Sequence, residues 1–166
     1  DALLTVGGRA SGVRLADGDE IQASCVILAV GHSARDTFAM LRSQGLPLER
    51  KPFAIGCRVE HPQALVDRVQ LGRLAGHPAL GAADYKLAHQ AANGRGVYTF
   101  CMCPGGQVIA AASEPGGVVT NGMSLHARDG VNANSAVLVG VAPEDMGGGD
   151  PLAGVEFQRR WEGLAF

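Results

Sequence analysis

From Val97 to Cys103 the side chains Tyr98, Phe100 and Met102 alternate with Val97, Thr99, Cys101 and Cys103, the period of two expected of a strand. Two further apolar runs follow, set off by Pro104-Gly105-Gly106 and Pro115-Gly116-Gly117, which supply the preset and positive φ that chain reversals need. Residues 97–124 therefore predict a three-stranded meander, with a third, looser corner at Asn121-Gly122. Residues 2–6, 12–16 and 20–30 predict strands joined at Gly7-Gly8 and at Asp17-Gly18-Asp19, the second joint a hairpin. In the last of these, Ile21, Ala23 and Cys25 alternate, but from Cys25 to Val30 every residue is apolar. That is the pattern of a strand buried on both faces of a parallel sheet.

Helical spacing is rarer. Ser33 stands where an N-cap belongs, Asp36 follows three residues later, and Ala34, Phe38 and Leu41 keep one face until Gly45 and Pro47. Residues 52–60 predict a strand, and Pro62 opens a short helix with Leu65, Val66 and Val69 on one side before Gly72. The stretch 73–96 is irregular, and Ser135–Ala142 predicts a further strand. Gly147-Gly148-Gly149 reads as a hinge, after which Asp150 as N-cap and Pro151 start a helix with Phe157, Trp161 and Leu164 on one face.

Composition sharpens this picture. The 166 residues suit one α+β unit, a mostly antiparallel or mixed sheet with flanking helices. Glycine, at 24 residues, is about twice as frequent as the usual ~7%, which favours turns and close backbone approaches. Charged residues at 18% fall below the ~25% of typical soluble domains, so part of the surface is expected to be covered. A net charge of −2 without a basic stripe argues against nucleic acid. Apolar runs such as Cys25–Val30 and Ala136–Val139 are far short of the ~20 residues of a membrane helix. The chain opens on Asp1 and stops in a helical pattern, so a piece of a longer cytoplasmic protein is expected. Cys25, Cys57, Cys101 and Cys103 form no Cys-x-x-Cys, and no metal site is expected. On an unbroken strand Cys101 and Cys103 would share a face at about 6.8 Å; reduced core thiols are the simpler reading, a redox pair the other.

The sharpest local feature is CVILAVGHSARD, residues 25–36. A glycine between a buried strand and a helix start lets a cofactor lie against the backbone while the helix dipole favours its anionic part. Gly31-His32-Ser33 also matches the front of a nucleophile elbow, but Arg35 stands where that motif needs glycine. A plain strand-to-helix turn is the third reading.

Residues 12–36 resemble the β-meander, buried strand and glycine turn late in FAD-dependent oxidoreductases of the two-dinucleotide-binding and glutathione-reductase-like groups. KPFAIGCRVEHPQ, LGAADYKL, GVYTFCMCPGGQVIAAASEPGGVVTNGMS, HARDGVNANSA and PLAGVEFQRRWE together resemble one bacterial family of FAD-dependent dehydrogenases, nearly end to end. The Gly-x-Gly-x-x-Gly pyrophosphate loop with which such enzymes begin is absent from these residues. The resemblance thus implies an internal portion: residues 1–33 correspond to the meander and strand of the FAD-binding part, and residues 34–166 to the substrate or cap part of a two-domain enzyme. It implies FAD in the parent and not in this chain alone, NAD(P) as a possible electron donor, a dinucleotide-binding portion of the same protein as partner, and a small-molecule substrate. Carried over by position, Gly31, His32 and Ser33 would approach the cofactor, as would Pro104, Gly105, Gly106, Asn121 and Gly122. From the residues themselves, His126, Arg128 and Asp129 are candidates for substrate or cofactor contact, the alternative being a solvated loop with a local ion pair; the sequence identifies no catalytic residue, Cys101 and Cys103 being the candidates. Two readings compete with this one: a non-catalytic interaction module, and a serine hydrolase using Ser33.

Overall fold

Two ten-residue strands organise the larger part of the chain in the computed structural model, which describes residues 2–166. β4 (Phe53–Pro62) and β9 (Asn132–Val141) pair antiparallel over their whole length, from Phe53 opposite Val141 to Pro62 opposite Asn132. The other edge of β9 takes β6 (Gly96–Cys103), and β5 (Ala88–Gln90) closes the sheet in the order β4-β9-β6-β5. Paired on both sides, β9 satisfies its backbone polar groups, which lets an apolar strand lie in the interior. Ala133, Asn134, Ser135, Ala136 and Val141 are all buried. A separate hairpin, β7 (Gly106–Ala110) with β8 (Thr120–Ser124), packs against this sheet, and α2 (Gln63–Leu71) follows β4 directly. Val66 of α2 is buried, whereas Leu65 and Val69 are exposed, so the helix uses one apolar position of the three expected. Gly72, with φ +56, ends it.

The chain divides into two compact units: residues up to Arg50 with Gly147–Phe157, and Lys51–Met146 with Gln158–Phe166. In the first, β1 (Ala2–Val6), β2 (Arg9–Arg14) and β3 (Glu20–Gln22) form an antiparallel meander in sequence order. The Asp-Gly-Asp turn forms as expected, Leu15 N–H donating to Asp19 O at 2.8 Å and Asp19 N–H to Asp17 Oδ1 at 3.1 Å. α1 (Arg35–Ser43) ends at Gln44, whose side chain reaches back to the N–H and C=O of Leu3 at 3.1 and 3.0 Å. Arg50 donates to Gly148 O at 2.8 Å, and Arg42 pairs with Asp150 at 2.7 Å, so the triple-glycine segment is tied down within this unit. α3 (Ala153–Ala165) has no fully buried residue, and Asp150 Oδ1 accepts the N–H of Leu152 just before it.

The protein is α+β, with antiparallel sheets and three α-helices. None of its helices is long and apolar enough to cross a membrane among the described residues. Four expectations need correction. Residues 97–124 are not one meander: β6 belongs to the central sheet and β7–β8 pair only with each other. Asn121-Gly122 is not a corner but lies inside β8. Ser33 is not the N-cap of α1; Ala34 holds that position without a side-chain cap, and the Ser33 hydroxyl is 2.9 Å from His32 Nδ1 instead. Residues 25–30 form no strand and are mostly exposed, Ile27 at 86%, because no strand of the described residues runs beside them.

Candidate functional site

β6 breaks its register on β9 between Phe100 and Cys103, and the break is centred on Cys101, whose φ of +45 is unusual for a non-glycine residue. The bulge turns the Cys101 side chain to solvent and returns Cys103 to pairing opposite Asn134. It also removes the alternation on which the expected shared face of the two cysteines rested. Neither is a core thiol: Cys101 is exposed and Cys103 half-buried.

Arg58, half-buried on β4, braces the bulge. Its Nη1 donates to Cys101 O at 3.1 Å and to Asn134 Oδ1 at 2.5 Å, and lies 3.9 Å from Cys103 Sγ, while the Cys103 thiol faces Cys101 O at 3.3 Å. Asn134 is fully buried, and its Nδ2 has no partner. Gly122 covers this cluster so closely that a Cβ there would fall 2.1 Å from Arg58 Nη1 and 2.8 Å from Cys103 Sγ. Arg58 was not among the residues singled out above. It is the one cation within the apolar strand FAIGCRV, on the face opposite Cys57 and Val59, but nothing in the neighbouring residues points to its partners on β6 and β9.

The Pro104-Gly105-Gly106 corner is clamped from two sides. Gly105 N–H donates to Oε1 of Gln63 at 2.8 Å; Gln63 is 6% exposed and also donates to Asp67 and to Ala83 O. On the other side the loop 126–130 presses against Gly105, where a Cβ would sit 2.1 Å from Arg128 O. Arg128 itself is left-handed, with φ +52, and its N–H closes a turn onto Leu125 O at 3.0 Å. Ser124 donates to Pro104 O at 2.7 Å. The result is a solvent-facing pocket of about 440 Å³, with Met102, Cys103 and Pro104 on one wall and Ser124, Leu125, His126 and Arg128 on the other.

Of the residues named from sequence, Cys103, Pro104, His126 and Arg128 thus come together. Cys101 and Asp129 are exposed and do not line the pocket, and neither do Gly105, Gly106, Asn121 or Gly122. The Cβ directions of Gly105, Gly106 and Gly122 are filled by the chain's own atoms, so these glycines serve close packing of the polypeptide on itself. Gly31, His32 and Ser33 belong to the other unit. Gly31 has φ +78 and open space where a Cβ would project, a turn that a flat group can approach. One such turn, without a pyrophosphate loop among these residues, is an incomplete flavin site.

Outside the pocket, His61 Nε2 and the Tyr85 hydroxyl are 2.7 Å apart, with rings tilted at 41°. Glu60 accepts from Val108 N–H and Asn132 Nδ2, both at 2.7 Å, and these hydrogen bonds hold its carboxyl below the usual range. Asp145 accepts from Arg95 and from Ala142 N–H, which lowers its pKa to about 2.

Residues 52–166, which contain this whole pocket, match the family model described as FAD-dependent protein, C-terminal domain-like. A protein of Clostridium beijerinckii (strain ATCC 51743 / NCIMB 8052), described as "Uncharacterized protein", is 55% identical over 151 residues. The similarity covers 90% of this chain and 28% of the relative, so the chain spans little more than a quarter of that protein's length.

Proposed function

This chain belongs to the family of FAD-dependent protein, C-terminal domain-like sequences, and from that premise we propose that it is the substrate-side portion of a cytoplasmic FAD-dependent oxidoreductase. Its partner is a dinucleotide-binding portion elsewhere in the same protein. That portion grips FAD, and the pocket between residues 102–104 and 124–128 receives the substrate. NAD(P) or another donor supplies electrons. The flavin, when bound, accepts or delivers hydride; the residues of this chain position what it reacts with. Cys103 is the pocket residue placed to touch a bound molecule, and Arg58 holds it there.

One observation carries this reading: the pocket lies wholly inside the stretch that matches an FAD-dependent family. The exposed apolar residues 27–30 are consistent with it, as a stretch composed for burial that lacks neighbouring strands in the described residues. The same stretch would also suit an interaction module. A serine hydrolase has less support, since His32, beside Ser33, has no carboxylate partner among the described residues.

Visible absorbance of the full-length protein, with this chain alone as control, tests the reading. Flavin bands near about 370 and about 450 nm are expected in the full-length protein and not in the chain. A colourless full-length protein that also refuses added FAD overturns the oxidoreductase and leaves the interaction module.

A further inference from the structure

We propose that the pocket selects a small organic anion, a carboxylate or phosphate whose charge is held by Arg128 and His126 and whose apolar body lies on Met102, Pro104 and Leu125. This names the substrate class for the site proposed above and rests on that reading.

Charge comes first. No acidic residue lines the pocket, while His126 and Arg128 do. The Arg128 guanidinium makes no ion pair or hydrogen bond with a described residue, so its planar fork of donors is available to an oxyanion. Asp129 is next in sequence, yet it is outside the lining and makes no ion pair with Arg128. Behind Cys103 stands Arg58, whose guanidinium contacts only a carbonyl, an amide oxygen and the thiol. No carboxylate of the described residues hydrogen-bonds to it, so its positive charge also acts on the pocket from the half-buried side of Cys103, where screening by water is weaker.

Backbone geometry is the second line. A left-handed conformation at a non-glycine residue is unfavourable and persists only where surrounding structure enforces it. Arg128 is enforced there by Gly105, the one residue type whose missing Cβ leaves room for the Arg128 carbonyl. The Pro-Gly-Gly corner and the loop are thus shaped together, and what they carry on the pocket side is an arginine. Apolar surface beside it is ample, with Leu125 exposed by 75%.

Cys103 provides the reporter. Iodoacetate and iodoacetamide differ only in charge at nearly equal size, and with either the thiolate sulfur attacks the CH₂ carbon, a C–S bond forms, the C–I bond breaks and iodide leaves. The full-length protein is treated with each reagent, and labelling at Cys103 and at the exposed Cys57 is followed by peptide mass spectrometry. The iodoacetate-to-iodoacetamide rate ratio is expected to be about fivefold higher at Cys103 than at Cys57, the size an exposed ion pair provides. Arg128→Gln should bring it to within about twofold, as should Arg128→Asn, whose side chain suits a left-handed backbone and guards against misfolding. Asp129→Asn should raise it. Phenylacetate or phenyl phosphate should protect Cys103, the better protector identifying the head group, and phenylacetamide should not.

Equal ratios at Cys103 and Cys57, or a preference that survives both Arg128 variants with Cys57 labelling unchanged, overturn the proposal. So does failure of both reagents to reach Cys103, since a pocket that admits a small anion admits these. The outcome is independent of flavin. An anion preference in a colourless protein would keep this site and sink the oxidoreductase, and flavin bands without the preference would do the reverse.

Discussion

Cys25–Val30 in the first unit and Ser135–Val141 in the second carry nearly the same message in sequence, a run of small and branched apolar residues that reads as a buried strand. Their fates differ. Residues 135–141 lie in β9 between β4 and β6, whereas residues 25–30 form no ladder and expose Ile27, Leu28 and Val30. An apolar run states a demand for burial; only neighbouring strands can satisfy the backbone polar groups that come with it. The same contrast separates the two sets of glycines. At Gly105 the missing Cβ makes room for the chain itself, and at Gly31 it leaves open space.

The largest effect expected from this contrast is a pair of aspartates. Ala133→Asp places a carboxylate at a position with 0% exposure and should destabilise the second unit by about 3–5 kcal/mol in urea titrations. Ile27→Asp should change the isolated chain by under ~0.5 kcal/mol. In the full-length protein, burial of residues 25–30 would raise its cost to several times that; a cost as small as in the chain alone would break the comparison and disfavour a partner sheet.

Next come the glycines. Gly105→Ala has both a positive φ and a backbone carbonyl 2.1 Å from the new methyl, and should cost about 2–4 kcal/mol of unfolding free energy. Gly31→Ala meets strain without a clash and should cost about 1 kcal/mol. Equal losses would mean that contact with the loop 126–130 is unimportant.

The smallest effect is acid sensitivity within the second unit. Asp145 falls from an ordinary 3.8 to about 2 on folding, chiefly through its hydrogen bond from Arg95. A depressed carboxyl stabilises the fold above its unfolded pKa, and the contribution disappears as pH falls through the folded one. Thermal melting should therefore lose this contribution between about pH 4 and pH 2. Asp145→Asn should flatten that part of the profile and lower stability at neutral pH by the same small amount, discounted because Arg95 is exposed and Asp145 only half-buried.

Much of the secondary structure was legible because its signals are local. The Asp-Gly-Asp turn, the end of α1 at Gly45, the run of β4 and the strand at 135–141 follow from neighbouring residues alone. The pocket was legible in part. His126 and Arg128 stand out as a polar loop and Pro104 as a corner, but Arg58 and Gln63, which brace Cys103 and Gly105 from 40 or more residues away, have no local signature. The Cys101 bulge was hidden as well, because the alternation 97–103 continues through it in the residue pattern.

The residues alone thus determined where the chain turns and which stretches are apolar enough to demand cover. Tertiary structure decided which apolar run is covered, which glycines are already filled, and which charges meet at Cys103. The reason is physical: turn and helix signals are energies of a few adjacent residues, whereas strand pairing, close packing and an ion's environment are set by groups the chain brings together only when it folds.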